Sequence, residues 1–213
     1  MLLARITLNI SYRITYPFLP ALARGLGVDL TAAGLLVTAR GAGGLASPFF
    51  GPLSDRYGRK RLMLFGLTLL ILGAAACALL PYYAAFMLAF IVFGIAKAAY
   101  DPAMQADIAD RVPYAQRGRA IGIIEFSWAA AWLIGVPSAG WLIAHAGWQA
   151  PFALLAVLGT AGLALIAWIL PGNERPLRLQ ANLRLAQPQR SALSHNRNLL
   201  AALGVALLIT LAN

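Results

Sequence analysis

Long apolar runs alternate along the chain with short polar segments, and each run is long enough to cross a membrane. An α-helix that spans the hydrocarbon core of a bilayer needs about 20 predominantly apolar residues. The six apolar runs extend from Leu3 to Ala23, Thr31 to Pro52, Arg61 to Leu80, Tyr82 to Ala109, Gly118 to Ala146 and Trp148 to Leu170. The pattern therefore predicts an all-α membrane protein with six transmembrane helices.

Three regions follow from this pattern. Residues 1–170 are predicted to form a six-helix transmembrane bundle, and residues 171–198 turn to Pro, Asn, Gln and Arg. That second region is predicted to be a cytoplasmic linker, either solvated or folded as a short amphipathic helix on the anionic inner leaflet. Residues 199–213 are apolar but too short to span, which predicts the start of a seventh helix.

The composition agrees with a membrane protein and excludes several other classes. Hydrophobic residues make up 61% of the chain and charged residues 11%, whereas soluble domains average about 25% charged residues. The single cysteine, Cys77, excludes an intrachain disulfide. No phosphate-binding glycine loop and no cluster of metal ligands is present in the sequence, so we predict no enzyme, no cofactor and no metal site.

Positive charge is concentrated in the segments that follow the second, fourth and sixth apolar runs. By the positive-inside rule these segments and the amino terminus are cytoplasmic, which predicts a multi-pass protein of the plasma (inner) membrane. The net charge of +10 reflects this topology. Because the basic residues form neither one face nor a tail, no nucleic-acid partner is predicted.

One pattern of proline and glycine occurs twice. The two copies have identical spacing and comprise Pro48, Gly51 and Gly58 near the second run, and Pro137, Gly140 and Gly147 near the fifth run. Three predicted spans separate the copies, so they fall on opposite faces of the membrane. This predicts two inverted three-helix repeats, an arrangement common in secondary transporters.

Five charged residues fall inside the apolar runs away from their ends: Arg13, Arg40, Lys97, Asp101 and Glu125. A charge at mid-membrane costs about 2.5–3.5 kcal/mol on insertion scales, so each one suggests a functional site. Counting about 1.5 Å per residue from the cytoplasmic ends places Arg13, Asp101 and Glu125 at similar depth, about 14 Å. Lys97 and Asp101 share a helix face at i and i+4, which predicts an ion pair.

Two interpretations of these charges stay open. In one, Asp101 or Glu125 takes and releases a proton, while Arg13 or Lys97 competes as counter-ion or binds an anionic substrate group. In the other, the charges neutralise one another permanently and only fix helix packing. Arg40 is predicted to bind carbonyls of a neighbouring glycine-rich helix.

Other residues of the fourth and fifth runs are predicted to shape the helices. Pro102 frees a carbonyl one turn earlier and is a candidate hinge. Gly135, Pro137 and Gly140 are candidates for hinge or packing positions. Four aromatic residues either line a pocket for an apolar or aromatic substrate or pack the core: Tyr100, Phe126, Trp128 and Trp132.

The polar segment between the second and third runs resembles a known signature. Residues 51–62 contain the pattern G-x-L-S-D-R-x-G-R-K-R, which is similar to the signature between the second and third spans of the major facilitator superfamily. We expect a short turn whose glycines let helix ends approach closely. The resemblance implies a conformational latch made by Gly51, Asp55, Arg56, Gly58 and Arg59. In it, Asp55 meets a helix end and basic partners, and Arg59 contacts charges at neighbouring helix ends.

The fifth run resembles this superfamily in part. Residues 135–140 are similar to the Gly-Pro-rich antiporter motif of its drug-exporting members, with Val136 and Trp141 departing from that motif. The resemblance implies secondary active transport of a small solute by alternating access, including proton-coupled efflux of a drug-like or apolar compound. The partners implied are a substrate, protons, lipids and a carboxy-terminal half or second half-transporter. The alternative is a non-transporting membrane fragment or helical scaffold.

Overall fold

The computed structural model describes residues 1–170, and the linker and seventh helix predicted for residues 171–213 lie outside them. Within the described residues every regular element is helical. The helices are α1 (Leu2–Arg13), α2 (Thr15–Leu26), α3 (Leu30–Gly44), α4 (Ser47–Tyr57), α5 (Arg59–Leu79), α6 (Tyr83–Arg111), α7 (Tyr114–Ala130), α8 (Val136–Ala146) and α9 (Ala150–Ile169). A π-helical turn, Ala131–Gly135, joins α7 to α8.

Four helical stretches of residues 1–170 are long and apolar enough to cross a membrane on their own. They are Arg59–Leu79, Tyr83–Arg111, Tyr114–Ala146 and Ala150–Ile169. They correspond to the third to sixth predicted spans. The first predicted span is instead divided at Ile14 into α1 and α2, and the second is divided at residues 45–46 into α3 and α4.

Prolines explain where these helices are interrupted. A proline has no N–H for the carbonyl four residues earlier, and its ring crowds that carbonyl. Arg13 and Gly44, the last residues of α1 and α3, each precede a proline by four positions. The π-helical turn likewise contains Leu133, four residues before Pro137. α6 differs, because it continues through Pro102 without a break.

The proline–glycine repeat predicted from sequence has a counterpart in the backbone. α4 and α8 both have 11 residues. They end at Gly58 and Gly147, whose φ angles are 97° and 93°. Both angles lie in the region that favours glycine, and each glycine is followed by a long apolar helix. The two copies therefore end in the same type of turn.

The segment 51–62 is more helical than expected. α4 continues to Tyr57 and α5 begins at Arg59, so Gly58 alone separates them. The expected close approach at Gly51 is wrong within residues 1–170, where a Cβ added there would have no atom within 4 Å. Only Gly58 needs to be glycine for a backbone reason, its positive φ.

The close helix crossing lies elsewhere, where α3 meets α6. A Cβ added to Gly94 would collide with the carbonyl oxygen of Arg40 and lie 2.9 Å from the Cα of Gly43. A Cβ added to Gly43 would in turn collide with the carbonyl oxygen of Ile91. Backbone therefore packs directly on backbone at this crossing, as small residues permit between membrane helices.

The hydrophobic core lies between α5, α6 and α9. α5 packs along both α6 and α9, and α3 covers another face of α6. The largest fully buried apolar side chains of these helices include Met63, Leu67, Leu70, Phe86, Phe90, Phe93, Met104, Phe152 and Leu155. This core holds α6 in place, and Lys97 and Asp101 in the middle of α6 contact α1.

Candidate functional site

Lys97 and Asp101 form the ion pair that their spacing on α6 predicted. Lys97 Nζ lies 2.8 Å from Asp101 Oδ2. Lys97 Nζ also donates to Asn9 Oδ1 at 2.8 Å, and Asn9 Nδ2 donates to Ser127 Oγ at 2.8 Å. One polar network therefore joins α6 to α1 and α7.

Arg5 is the second cation of this site. Its guanidinium is buried, with 4% of the residue exposed, and Nη1 donates to Glu125 Oε1 at 2.8 Å. Arg5 Nε lies 3.7 Å from Asp101 Oδ1, and neither of these two atoms has a hydrogen-bond partner. Arg5, Lys97, Asp101 and Glu125 are called the charge cluster below.

Arg13 does not share the layer of the two carboxylates, so that prediction is wrong. Its guanidinium lies 4.4 Å above the ring of Trp128 and 5.2 Å from the ring of Trp132. Cation–π attraction holds it there. Within residues 1–170 it forms no ion pair, and its Nε has no hydrogen-bond partner. Arg5, two helical turns earlier, occupies the position beside the carboxylates that was predicted for Arg13.

The position of α1 along the membrane normal explains this error. The Tyr100 hydroxyl donates to the carbonyl of Met1 at 3.0 Å, so α1 begins level with Tyr100. α6 continues to Arg111, about 16 Å further at 1.5 Å per residue. Counting depth from the first residues of α1 therefore placed Arg5 at the surface and Arg13 too close to the cytoplasmic side.

The two carboxylates of the charge cluster differ in their access to solvent. The Asp101 side chain is 21% exposed and that of Glu125 is 48% exposed. Arg5 and Glu125 line one end of a pocket of about 290 Å³. Its other walls come from α6 and α7: Met104, Gln105, Ile108, Ala109, Arg117, Ile121 and Ile124. Glu125 is thus the acid of the cluster that the pocket reaches.

Arg40 binds the junction of α1 and α2 and not a glycine-rich helix, which corrects the prediction in part. Its Nη1 donates to the carbonyl of Tyr12 at 3.0 Å and to Thr15 Oγ1 at 3.2 Å, and its Nη2 donates to the Tyr16 hydroxyl at 3.3 Å. These atoms flank Ile14, where α1 ends and α2 begins. Arg40 therefore stabilises the interruption between the two helices.

Of the four aromatic residues predicted to line a pocket or pack, two lie beside the charges. Tyr100 is fully buried, whereas Phe126 is 61% exposed. Trp128 contacts two cations, because Lys97 Nζ also lies 4.9 Å from its ring. Trp132 is 45% exposed and contacts Arg13 at the edge of the site.

The latch residues Asp55, Arg56, Gly58 and Arg59 lie together where α4 ends and α5 begins, beside the last turn of α6. Arg59 pairs with Asp55, one turn earlier, and its Nε lies 3.4 Å from Asp110 Oδ2 in the last turn of α6. The expected contact of Arg59 with a charge at a neighbouring helix end is therefore present. Arg56 stacks on Tyr57. Among residues 1–170 Asp55 meets no helix N-terminus.

Basic residues near the latch bind the carboxyl ends of helices. The positive-inside rule had explained these residues only by membrane topology. Lys60 Nζ donates to the carbonyls of Ala167, at 2.7 Å, and Leu170 at the end of α9. Arg117 donates to the carbonyls of Ala109 and Val112 at the end of α6. Such contacts satisfy carbonyls that lack helical partners and oppose the helix dipole. The signal for these contacts in the sequence was a basic residue within a few positions of a helix end.

Two glycines of the fifth predicted span, which are candidates for hinge or packing positions, lie close to neighbouring helices. A Cβ added to Gly135 would lie 2.6 Å from Ile10 Cγ1, and one added to Gly140 would lie 3.2 Å from Phe18 Cζ. These glycines let the α7–α8 stretch pack closely on α1 and α2. Pro137 contributes by widening the preceding turn.

An all-helical bundle with spanning lengths and a paired charge cluster among its helices defines an integral membrane protein with a polar interior site. The sequence model of the Major Facilitator Superfamily matches residues 1–213. The chain belongs to this superfamily, as the signature at residues 51–62 predicted.

Comparison with known proteins supports this assignment. YwfA and YceJ are uncharacterized MFS-type transporters of Bacillus subtilis (strain 168). YwfA is 34% identical over 137 residues, which are 64% of this chain and 33% of YwfA. YceJ is 31% identical over 179 residues, which are 84% of this chain and 45% of YceJ. The chain therefore spans half or less of the length of these relatives.

A solved structure shows the same fold. The crystal structure of D-xylose-proton symporter matches with a TM-score of 0.72 and 19% sequence identity, over 96% of this chain and 54% of that chain. The match covers the all-helical arrangement described above and confirms the predicted fold class.

Proposed function

We propose that this chain forms the amino-terminal half of a secondary active transporter that moves a small solute by alternating access. In the complete protein this half works with a second helical half, which a longer chain or a partner supplies. The finer proposal is proton-coupled export of a drug-like or apolar compound. The observation that carries the proposal is the charge cluster, because ionisable residues inside a membrane protein mark substrate and proton pathways.

The geometry of the cluster supports a coupling role. Lys97 bonds both Asp101 and Asn9, and Arg5 contacts both Asp101 and Glu125. A proton that binds either carboxylate removes one negative charge and weakens its attraction to the shared cations. Since these residues lie on α1, α6 and α7, such a change alters the forces between three helices. This is how protonation biases a two-state equilibrium.

Reconstituted transport tests the proposed function. We expect the full-length gene product in proteoliposomes to accumulate a radiolabelled solute from a panel of aromatic carboxylates, neutral aromatics and aliphatic amines. Accumulation should depend on an imposed proton gradient and stop when an ionophore dissipates it. Absence of gradient-dependent movement for the whole panel would favour the helical scaffold.

The proposed topology predicts opposite labelling of two tyrosine positions. Tyr114, 86% exposed, follows α6, and Tyr82, 66% exposed, precedes it. In a Cys77→Ala background, Tyr82→Cys should react with an impermeant thiol reagent in intact cells. Tyr114→Cys should react only after the cells are opened, because its loop carries the basic residues that mark the cytoplasmic side. The reverse pattern would contradict a cytoplasmic amino terminus.

The latch predicts a transport defect without a folding defect. We expect Asp55→Asn in the complete protein to lower the transport rate severalfold, because it weakens an ion pair that biases one conformation. Abundance should stay close to that of the wild type, since the Asp55 side chain is 60% exposed. Asp29→Asn is the matched control, because Asp29 caps α3 and asparagine caps equally well. A normal transport rate in Asp55→Asn removes the latch from the proposal.

A further inference from the structure

Cations and aromatic rings alternate along one surface beside the charge cluster. Arg40 lies 4.1 Å from the ring of Tyr12, and Lys97 lies 5.4 Å from the same ring. Lys97 and Arg13 then share Trp128, and Arg13 also contacts Trp132. The six residues in order are Arg40, Tyr12, Lys97, Trp128, Arg13 and Trp132, and they are called the cation–aromatic ladder below.

The charges around the ladder do not balance. Among the charged side chains that meet in the middle of α1, α3, α6 and α7, four are cations and two are carboxylates. Glu125 is paired with Arg5 and Asp101 with Lys97. Arg40 is satisfied by a carbonyl and hydroxyls. Charge excess inside a membrane protein is unfavourable, so a bound anion lowers the free energy of this site.

Arg13 is the cation best placed to meet that anion. Within residues 1–170 it has no carboxylate partner, and aromatic faces replace the hydrogen bonds that Arg5 and Arg40 make. A guanidinium pairs with a carboxylate through two parallel N–H bonds. The neighbouring Trp132 is nearly half exposed, and its free face offers a stacking surface for a ring.

From this arrangement we propose that the ladder binds an aromatic carboxylate, with the carboxylate on Arg13 and the ring against Trp132. This inference rests on the proposed transport function, whose substrate class it names. A neutral aromatic compound would gain the stacking contact and leave the charge excess in place. An aliphatic carboxylate would gain the ion pair and lose most of the stacking.

Equilibrium binding to the purified full-length protein tests this assignment without requiring transport. Tryptophan fluorescence is the readout, with three probes of similar size: benzoate, benzamide and cyclohexanecarboxylate. We expect saturable quenching by benzoate, with benzamide and cyclohexanecarboxylate each weaker by about tenfold or more, as loss of a charged hydrogen bond or an aromatic contact implies. Equal binding of benzamide and benzoate overturns the proposal, and so does an absence of saturable benzoate binding.

Variants separate Arg13 from the remaining positive charges. Arg13→Gln should weaken benzoate about tenfold or more, and Arg13→Lys should recover part of that loss. Arg24→Gln is the matched control, because Arg24 is exposed in the last turn of α2. Unchanged benzoate affinity in Arg13→Gln overturns the role of Arg13. A third outcome is that Arg13→Gln lowers protein abundance, Arg13→Lys restores it, and both variants bind benzoate with unchanged affinity. Arg13 then pairs with an acidic residue of the second half, and this result also overturns the proposal.

The outcomes distinguish this inference from the proposed function. Benzoate binding without gradient-driven accumulation of any solute supports the ladder and contradicts coupled transport. Accumulation of a neutral or amine solute by a protein that does not bind benzoate supports transport and contradicts the ladder.

Discussion

If the complete protein transports as proposed, Asp101→Asn is expected to abolish solute accumulation driven by a proton gradient while solute exchange continues. Asparagine keeps the size of the side chain but cannot take or release a proton. The change leaves Lys97 with the Asn9 oxygen and Arg5 with Glu125, so the helices stay connected. The measurement compares gradient-driven uptake with solute counterflow in the same proteoliposomes. A loss of at least tenfold in accumulation is expected.

Asp107→Asn is the matched control for this result. Asp107 also lies on α6 and pairs with a base at i+4, Arg111, but it is outside the charge cluster. We expect accumulation to survive this change. A purely structural role for Asp101 predicts another outcome, because an unpaired buried cation destabilises a protein by about 3–5 kcal/mol. Asp101→Asn would then lower abundance, and adding Lys97→Met would restore it. Normal accumulation in Asp101→Asn excludes this residue as the coupling group.

The second large effect is expected at the crossing of α3 and α6. Gly94→Ala and Gly43→Ala each place a methyl group where backbone atoms already lie, and the backbone has no side-chain freedom to move aside. Overpacking of this kind costs about 1–3 kcal/mol. Folded protein recovered in detergent should fall, with a lower midpoint of thermal unfolding measured by fluorescence-detected size exclusion.

Two glycines of α3 provide the control within the same helix. A Cβ added to Gly41 or to Gly44 would have no atom within 4 Å. Because alanine favours a helix over glycine by about 1 kcal/mol, Gly41→Ala and Gly44→Ala should leave the unfolding midpoint unchanged or raise it. Equal behaviour of all four variants would contradict the described crossing.

The contrast between Lys97 and Arg5 shows what the sequence predicts well in this protein. The pairing of Lys97 with Asp101 depends on four residues of helical spacing, which is a local property. The contact of Arg5 with Asp101 depends on where α1 begins relative to α6, and that offset is fixed by packing contacts such as Tyr100 on Met1. Apolar periodicity carries no information about it.

Glycine shows the same limit. The recurring spacing of Gly58 and Gly147 correctly indicated equivalent turns, because positive φ is a local demand of the backbone. Close approach is a tertiary demand. The closest approach of backbone to backbone falls on Gly43 and Gly94, which no motif singled out, and not on Gly51 within the signature. Helix positions and family were therefore predictable, and the partners across helices were not.

The interruptions described above divide the helices into two mechanical kinds. The α1–α2, α3–α4 and α7–α8 stretches each contain a joint, which is a break or a widened turn four residues before a proline. Helices α5 and α9 have no such joint, and α6 continues through Pro102 as one helix. Bending stiffness is lower at such a joint. Helices α5 and α9 therefore resist bending along their whole length, whereas the jointed stretches bend more easily at the joint. One end of a jointed stretch can then move without carrying the other end with it.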